Sequence, residues 1–69
     1  MKIFEERLRD LRNESHLTQK QLADILQTTD DSIFSWEKGR SQPSIEMIHK
    51  ICLYFGVSAD YLLGLSDVY

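Results

Sequence analysis

The segment QTTDDSIFSWEKGR, residues 27–40, combines two adjacent acids with a basic corner. Asp30 and Asp31 open a short stretch with apolar periodicity, and Lys38 and Arg40 flank the glycine that closes it. Cations at such a corner suit contact with phosphate groups, whereas a carboxylate can only accept hydrogen bonds. The residue types therefore indicate recognition of a polar or charged surface rather than bond breaking.

Catalytic and metal chemistry find little support elsewhere in the chain. Ser35, His49 and Asp60 could be named as a triad, but no nucleophile motif surrounds them and a domain this small has no room for a deep pocket. Cys52 is the only cysteine, and the two histidines, His16 and His49, lack the spacing of metal ligands. We expect no enzymatic activity, no metal, no cofactor and no small-molecule substrate.

Length and charge narrow the class of protein further. The 69 residues predict one domain, 1–69, and 42% hydrophobic with 28% charged residues is a globular composition. No apolar run approaches a membrane span and no signal-peptide pattern is present, so we expect a soluble cytoplasmic protein without membrane contact. The net charge of −3 argues against indiscriminate binding to nucleic acid, so that any basic footprint must be local.

The sequence pattern predicts an entirely helical chain. Apolar residues recur at steps of three and four, and no segment alternates strictly for long. Thr18, Thr29, Ser44 and Ser58 are predicted N-caps, and Gln21 completes a capping box with the first of them. These signals predict five helices, at about 3–15, 18–26, 29–38, 44–55 and 58–63. The apolar stripes of helices two and four are predicted to be Leu22, Ile25 and Leu26, and Ile45, Ile48, Ile51, Cys52 and Phe55.

Only the short segment 27–29 separates helices two and three, which suits the crossed pair of a helix-turn-helix. At this point the sequence resembles the Cro/C1 (XRE) family of repressors, through LTQKQLADIL, TTDDSIFSWEKGR, QPS and FGVSADYLLG. The resemblance covers Arg7 to Gly64, and TTDDSI is most similar to the recognition helix of lambdoid phage repressors. It implies an all-α, five-helix lambda-repressor-like DNA-binding domain. Most family members are bacterial or phage transcription regulators that bind operators as dimers.

The resemblance also assigns contacts to double-stranded DNA. The start of helix two would meet a phosphate, the exposed edge of helix three would face the major groove, and the basic corner would line the flanking backbone. Phe34 could instead pack partly against the protein, or touch a thymine methyl group. The helix caps and the charges at helix ends would also be favourable in a protein that never meets DNA. The implied DNA-contacting residues are Thr18, Gln19, Lys20, Thr29, Asp30, Asp31, Phe34, Ser35, Lys38 and Arg40.

Two structural expectations follow from the same resemblance. Lambdoid repressors pair an arginine late in helix one with a glutamate late in helix three, and Arg12 and Glu37 stand at the matching places. We expect a largely buried, bidentate ion pair between them. The family usually has glycine where this chain has His16 and Gln27, so both residues are expected to take positive φ.

The assembly and the role of the acids complete the predictions. We expect a homodimer built on helix five and the residues after it, through the apolar residues Tyr61, Leu62, Leu65, Val68 and Tyr69. Asp30 and Asp31 either accept hydrogen bonds from cytosine or mark a domain that no longer binds DNA. The preferred function is a sequence-specific transcriptional repressor. The alternatives are a protein-interaction module, or the antitoxin of a toxin–antitoxin pair, that keeps the repressor fold with weak or no DNA binding.

Overall fold

The computed structural model describes residues 1–69 and contains five α-helices and no strand. The all-α expectation is confirmed, and every helix end lies within one residue of its predicted position. No helix combines the length and the apolar character needed to cross a membrane. The helices are α1 (Lys2–Glu14), α2 (Gln19–Leu26), α3 (Asp30–Lys38), α4 (Ile45–Phe55) and α5 (Ala59–Leu62).

The four predicted N-caps set where α2 to α5 begin. The hydroxyl oxygens of Thr18, Thr29, Ser44 and Ser58 each accept a hydrogen bond from the backbone N–H three residues later. Gln21 returns the bond in α2, where its side-chain oxygen accepts from the Thr18 N–H at 2.9 Å. These bonds satisfy backbone donors that have no partner inside the helix, so each start is determined locally.

The core is apolar and draws on all five helices. α1 and α2 each contribute three buried residues. α3 contributes Ile33 and Trp36, and the Glu37 side chain is buried beside them. The largest side chains that are fully buried are Leu8, Leu22, Leu26, Ile33, Ile51 and Leu62.

Three apolar residues differ from the prediction in their burial: two expected in the core are exposed, and one expected in the dimer interface is buried. Ile45 is 89% exposed because, at 3.6 residues per turn, it stands about 120° around α4 from the buried Ile51. Ile25 is exposed for a similar reason, since it lies about 100° around α2 from Leu26. Leu62, expected in the dimer interface, is instead fully buried, because this face of α5 packs on the core.

Two turns use residues with side chains where glycine is usual. His16 has φ of 57° and Gln27 has φ of 60°, so both expectations are confirmed. Gln27 ends α2 in the left-handed conformation, as Gly39 and Gly56 do for α3 and α4. This conformation brings Cβ close to the backbone and therefore costs a residue such as Gln27 free energy that glycine avoids.

The Arg12–Glu37 ion pair joins α1 to α3 as predicted. The Arg12 Nε and Nη2 atoms donate to the two carboxylate oxygens of Glu37 at 2.7 and 3.0 Å. The remaining Nη1 donates to the carbonyl oxygen of Leu17 at 2.9 Å, and Glu37 is only 5% exposed. The hydrogen bond to Glu37 raises the pKa of Arg12, although burial opposes it. The guanidinium therefore stays charged, and its hydrogen bonds join α1, α3 and the turn before α2.

Residues 65–69, called the tail below, are held against α1 by an arginine. Arg7 donates to the carbonyl oxygen of Ser66 at 2.7 Å and to Asp67 Oδ1 at 2.8 Å. It also donates to the carbonyl oxygen of Tyr61 and stacks over the Tyr61 ring, 4.1 Å from its centroid. The Tyr69 ring packs edge-on against Tyr61 at 4.6 Å. The tail is thus folded back over α5 instead of projecting from it.

Replacing Gln27 by glycine should stabilise the fold by about 1 kcal/mol, since it removes the left-handed strain of a residue with a Cβ atom. Urea unfolding of the two proteins measures the change. Ser15→Gly is the matched control: Ser15 lies at the end of α1 with φ of −88°, so glycine there should give no gain. An unchanged or lower stability of Gln27→Gly would contradict the assignment of strain to this turn.

Removing Arg12 from the buried ion pair should change the stability of the fold far more than the substitution at Gln27. Arg12→Ala leaves a buried carboxylate on Glu37 without its partner, and a loss of about 3–5 kcal/mol in the free energy of unfolding is expected. Lys20→Ala is the control, because it cuts an ion pair of similar length whose two side chains are mostly exposed. Equal, small losses in the two variants would show that burial of the Arg12 pair has little effect on stability.

Candidate nucleic-acid interface

One face of α3 is buried and the opposite face is turned to solvent. Ile33, Trp36 and Glu37 pack inward, which leaves the other side chains of the helix on the surface. Ser35 is half-buried near the middle of that outer face. Ser32 is half-buried as well, and the other side chains of α3 are exposed, namely Asp30, Asp31, Phe34 and Lys38.

The first turn of α3 is acidic and has no cationic partner within ion-pair distance. Asp30 Oδ1 accepts a hydrogen bond from the Asp31 N–H at 3.0 Å, and neither carboxylate forms an ion pair. Thr29 is used as the cap, with its hydroxyl 3.1 Å from the Ser32 N–H and 2.9 Å from the Ser32 hydroxyl. Helix N-termini favour acids, so the pair is stable here, and its outer oxygens remain available as acceptors.

The start of α2 is joined to α3 by a hydrogen bond to the buried Glu37. The Gln19 amide donates to Glu37 Oε1 at 3.2 Å, which orients the side chain and leaves a second N–H for another acceptor. Lys20 is less available, because its ammonium group is 2.8 Å from Asp24 Oδ1. The hydrogen bond to Asp24 raises the pKa of Lys20, with a smaller contribution from the charge of Asp30. The positive charge of Lys20 is therefore partly compensated by the carboxylate of Asp24.

The end of α3 forms a corner with two cations, Lys38 and Arg40, that take part in no ion pair. Neither Lys38 nor Arg40 has a carboxylate within 4 Å, although Glu5 packs against the intervening Gly39. The ring of Phe34 lies near both cations, with its centroid 5.8 Å from Lys38 Nζ and 5.3 Å from Arg40 Cζ. The corner can therefore offer two cations to an anion outside the chain.

The fold brings most of the predicted contact residues together. Asp30, Phe34 and Lys38 lie in one row along α3 at steps of four residues, and Glu37 ties Gln19 to the same helix. The residues predicted to form a dimer lie apart from this group, on α5 and the tail. Among them Leu65 and Val68 are 76% and 77% exposed, whereas Tyr61 is half-buried.

Two sets of contacts made by charged side chains, those of Asp24 and those of Arg7, were not predicted from the sequence. Asp24 stands four residues after Lys20, a spacing at which opposite charges pair on a helix, so this contact could have been anticipated. Arg7 could not, because its partners Tyr61, Ser66 and Asp67 are more than 50 residues away in the chain. Nothing in the local sequence indicates such a contact.

Comparison with known proteins assigns the family. A profile described as helix-turn-helix matches residues 8–62. The HTH-type transcriptional activator BcrR of Enterococcus faecalis is 40% identical over 61 residues, which cover 88% of this chain and 30% of BcrR. The cryptic phage CTXphi transcriptional repressor RstR of Vibrio cholerae is 29% identical over 65 residues, which cover 94% of this chain and 59% of RstR. The chain thus spans less than two thirds of either relative.

A solved structure gives the same fold. The P22 c2 repressor, crystallised in complex with a synthetic operator, matches with a TM-score of 0.82 and 24% identity. The match covers 90% of this chain and 94% of that one. With the family profile covering most of its length, the chain belongs to the helix-turn-helix family of the Cro/C1 type, as the resemblance in its sequence indicated.

Proposed function

We propose that the chain is a sequence-specific DNA-binding regulator of transcription, acting as a repressor on an operator. The observation that carries the proposal is the outer face of α3, where acceptors at one end and free cations at the other are displayed on an exposed helix. Family membership and the two relatives, both transcription regulators by name, support it. Such a protein works where the chromosome lies, in the cytoplasm.

In the proposed complex α3 enters the major groove with its N-terminal turn towards the base edges. Gln19 and the backbone N–H groups at the start of α2 bind a phosphate, since helix N-termini favour anions. Lys38 and Arg40 bind the flanking backbone. Because Lys20 already pairs with Asp24, it adds little, and the two cations at the end of α3 supply most of the attraction.

Asp30 and Asp31 would read sequence by accepting hydrogen bonds. A carboxylate has no donor and cannot make the bidentate adenine contact open to glutamine, but it can accept from the N4 amino group of cytosine. Its repulsion by phosphate weakens binding to every duplex alike, while the gain occurs only where cytosine is correctly placed. The acids would therefore reduce non-specific affinity and sharpen discrimination.

A protein-interaction module is the second candidate, and an antitoxin is a form of it. The net charge of −3 and the acid pair favour it, as does an exposed apolar groove between α2 and α4 that is lined by Ile25, Leu53 and Tyr54. A duplex shift that weakens with salt would support DNA binding. A protein that co-purifies with the chain would support the alternative, and a toxin would identify the antitoxin.

The central experiment is selection of binding sites from random duplexes, followed by affinity measurement at several salt concentrations. The proposal predicts an enriched sequence that contains cytosine and a specific affinity well above that for random DNA. Failure to enrich any sequence, even at low salt, would reject the proposal and favour the interaction module.

We further propose that the chain acts as a homodimer through α5 and the tail. A single half-site is weakly bound, and two half-sites one helical turn apart require recognition helices about 34 Å apart. Leu65 and Val68 supply exposed apolar surface, and the Arg7 contacts hold the backbone that carries them. Leu62 is excluded because it belongs to the core.

Leu65→Ser with Val68→Ser should weaken dimerisation by at least about tenfold, because each substitution removes apolar surface that the interface would bury. Sedimentation equilibrium measures the dissociation constant, and operator binding should weaken in parallel. Truncation after Gly64 tests the same surface, but it also removes Ser66 and Asp67, two of the three residues that Arg7 contacts, so the double substitution is cleaner. Leu53→Ser is the control, because Leu53 on α4 is 70% exposed and lies outside the proposed interface. A double variant that dimerises like the wild type would reject this interface.

Asp30→Asn with Asp31→Asn tests the reading of cytosine. The double variant should bind random duplexes more tightly, because two charges that repel phosphate are gone. It should also relax the cytosine preference, each lost base contact being worth about 1–3 kcal/mol of discrimination. Affinities for the selected operator and for operators with cytosine replaced measure both effects. Unchanged discrimination would show that the acids do not read bases.

A further inference from the structure

We propose that Phe34 is a positioning residue that holds Lys38 and Arg40 ready for the DNA backbone without neutralising them. This inference rests on the proposed DNA-binding function and adds to it a role for an aromatic ring on the outer face of α3. The ring is 36% exposed, and both cations lie within 6 Å of its centroid. That is the range in which a cation is attracted to an aromatic face.

The local fold explains why both cations meet one ring. Lys38 follows Phe34 by four residues, so the two side chains are neighbours on the helix surface. Gly39 then takes φ of 74°, and the Arg40 N–H donates to the carbonyl oxygen of Ser35 at 2.9 Å. This turn brings the chain back over the last turn of α3 and places the guanidinium 5.3 Å from the ring centroid.

An aromatic ring orders a cation differently from a carboxylate. Asp24 holds Lys20 at 2.8 Å, but the pair has no net charge to offer a phosphate. Phe34 restricts Lys38 and Arg40 by attraction to its ring and leaves the full charge of each. Ordering the side chains before binding reduces the entropy that they would otherwise lose on the DNA. The corner therefore keeps two cations that are both charged and restrained.

This role differs from direct contact between Phe34 and a thymine methyl group. Contact with a methyl group would add affinity only for duplexes that carry thymine at one position. Positioning of phosphate-binding cations adds affinity for every duplex and contributes to the salt dependence, which counts the phosphates neutralised. The two roles therefore separate in measurements on operator and random DNA.

The geometry is tested first in the free protein. The side-chain methylene protons of Lys38 and Arg40 should show upfield ring-current shifts in NMR spectra of the wild type. Phe34→Leu keeps the apolar bulk but removes the ring, and it should abolish these shifts. Phe34→Tyr is the control and should retain them. Unshifted methylene protons in the folded wild type would overturn the inference, whether or not the protein binds DNA.

Binding is then measured for the selected operator and a random duplex over a range of salt concentrations. Phe34→Leu should weaken both by the same factor, about tenfold, whereas Phe34→Tyr should bind like the wild type. The negative slope of log affinity against log salt should become shallower by about 0.9 for each cation released from a phosphate. When Lys38→Gln and Arg40→Gln are already present, Phe34→Leu should have no further effect, but its full effect should persist with Lys20→Gln.

The other outcomes distinguish the two proposals. Normal affinity and slope in Phe34→Leu, with a wild type that binds DNA, would overturn the positioning role and leave the proposed function intact. A loss confined to duplexes with thymine at one position would also overturn it, in favour of methyl contact. A wild type that binds no duplex would overturn the proposed function and this role with it.

Discussion

The buried carboxylate of Glu37 is the point on which the arrangement of the first three helices depends. It accepts two hydrogen bonds from Arg12 on α1 and one from Gln19 on α2, while its own backbone belongs to α3. Apolar packing is nondirectional and tolerates small rotations, but a bidentate guanidinium–carboxylate pair does not. Since Arg12 also holds the Leu17 carbonyl, the turn before α2 is fixed by the same side chain. The angle between α2 and α3, on which any groove contact depends, is therefore set from inside the domain.

Features that depend on neighbouring residues in the chain could be predicted from the sequence. The caps at Thr18, Thr29, Ser44 and Ser58 are satisfied within three residues, so the residue types alone place the helix starts. The ion pair between Arg12 and Glu37 is different, since 25 residues separate its members. It was predicted only through family resemblance, because no local pattern relates the two positions. The same holds for the positive φ of Gln27, which a propensity argument would have opposed.

Features that depend on how the helices pack against one another could not be predicted from the local sequence. Ile45 and Leu62 have equally apolar side chains, yet one is almost fully exposed and the other fully buried. The difference arises from how far each lies around its helix from the packed face, and that face is set by the other helices. The clamp of Arg7 on the tail has the same origin, because it requires α1 and residues 65–69 to be adjacent in space. By contrast, a spacing of four residues could have indicated the pairing of Lys20 with Asp24 and of Lys38 with Phe34, whereas the approach of Arg40 to the same ring depends on the turn at Gly39. Lys20 is compensated by Asp24, while Lys38 and Arg40 rest on Phe34.

The charge on α3 is separated along its axis, and this separation resolves the conflict between the acids and the phosphates. Asp30 and Lys38 are eight residues apart, which is about 12 Å at 1.5 Å per residue. The Debye length is about 10 Å at 0.1 M salt, so the acids only weakly reduce the attraction between the corner and a phosphate. In the proposed complex the acids lie at the end of α3 that points into the groove, where base edges are close and the backbone is further away. On the proposed function, a chain with a net charge of −3 would bind a polyanion through the cations at one end of α3 and retain acceptors at the other. Its overall acidity would then act mainly against duplexes that offer no partner for those acceptors.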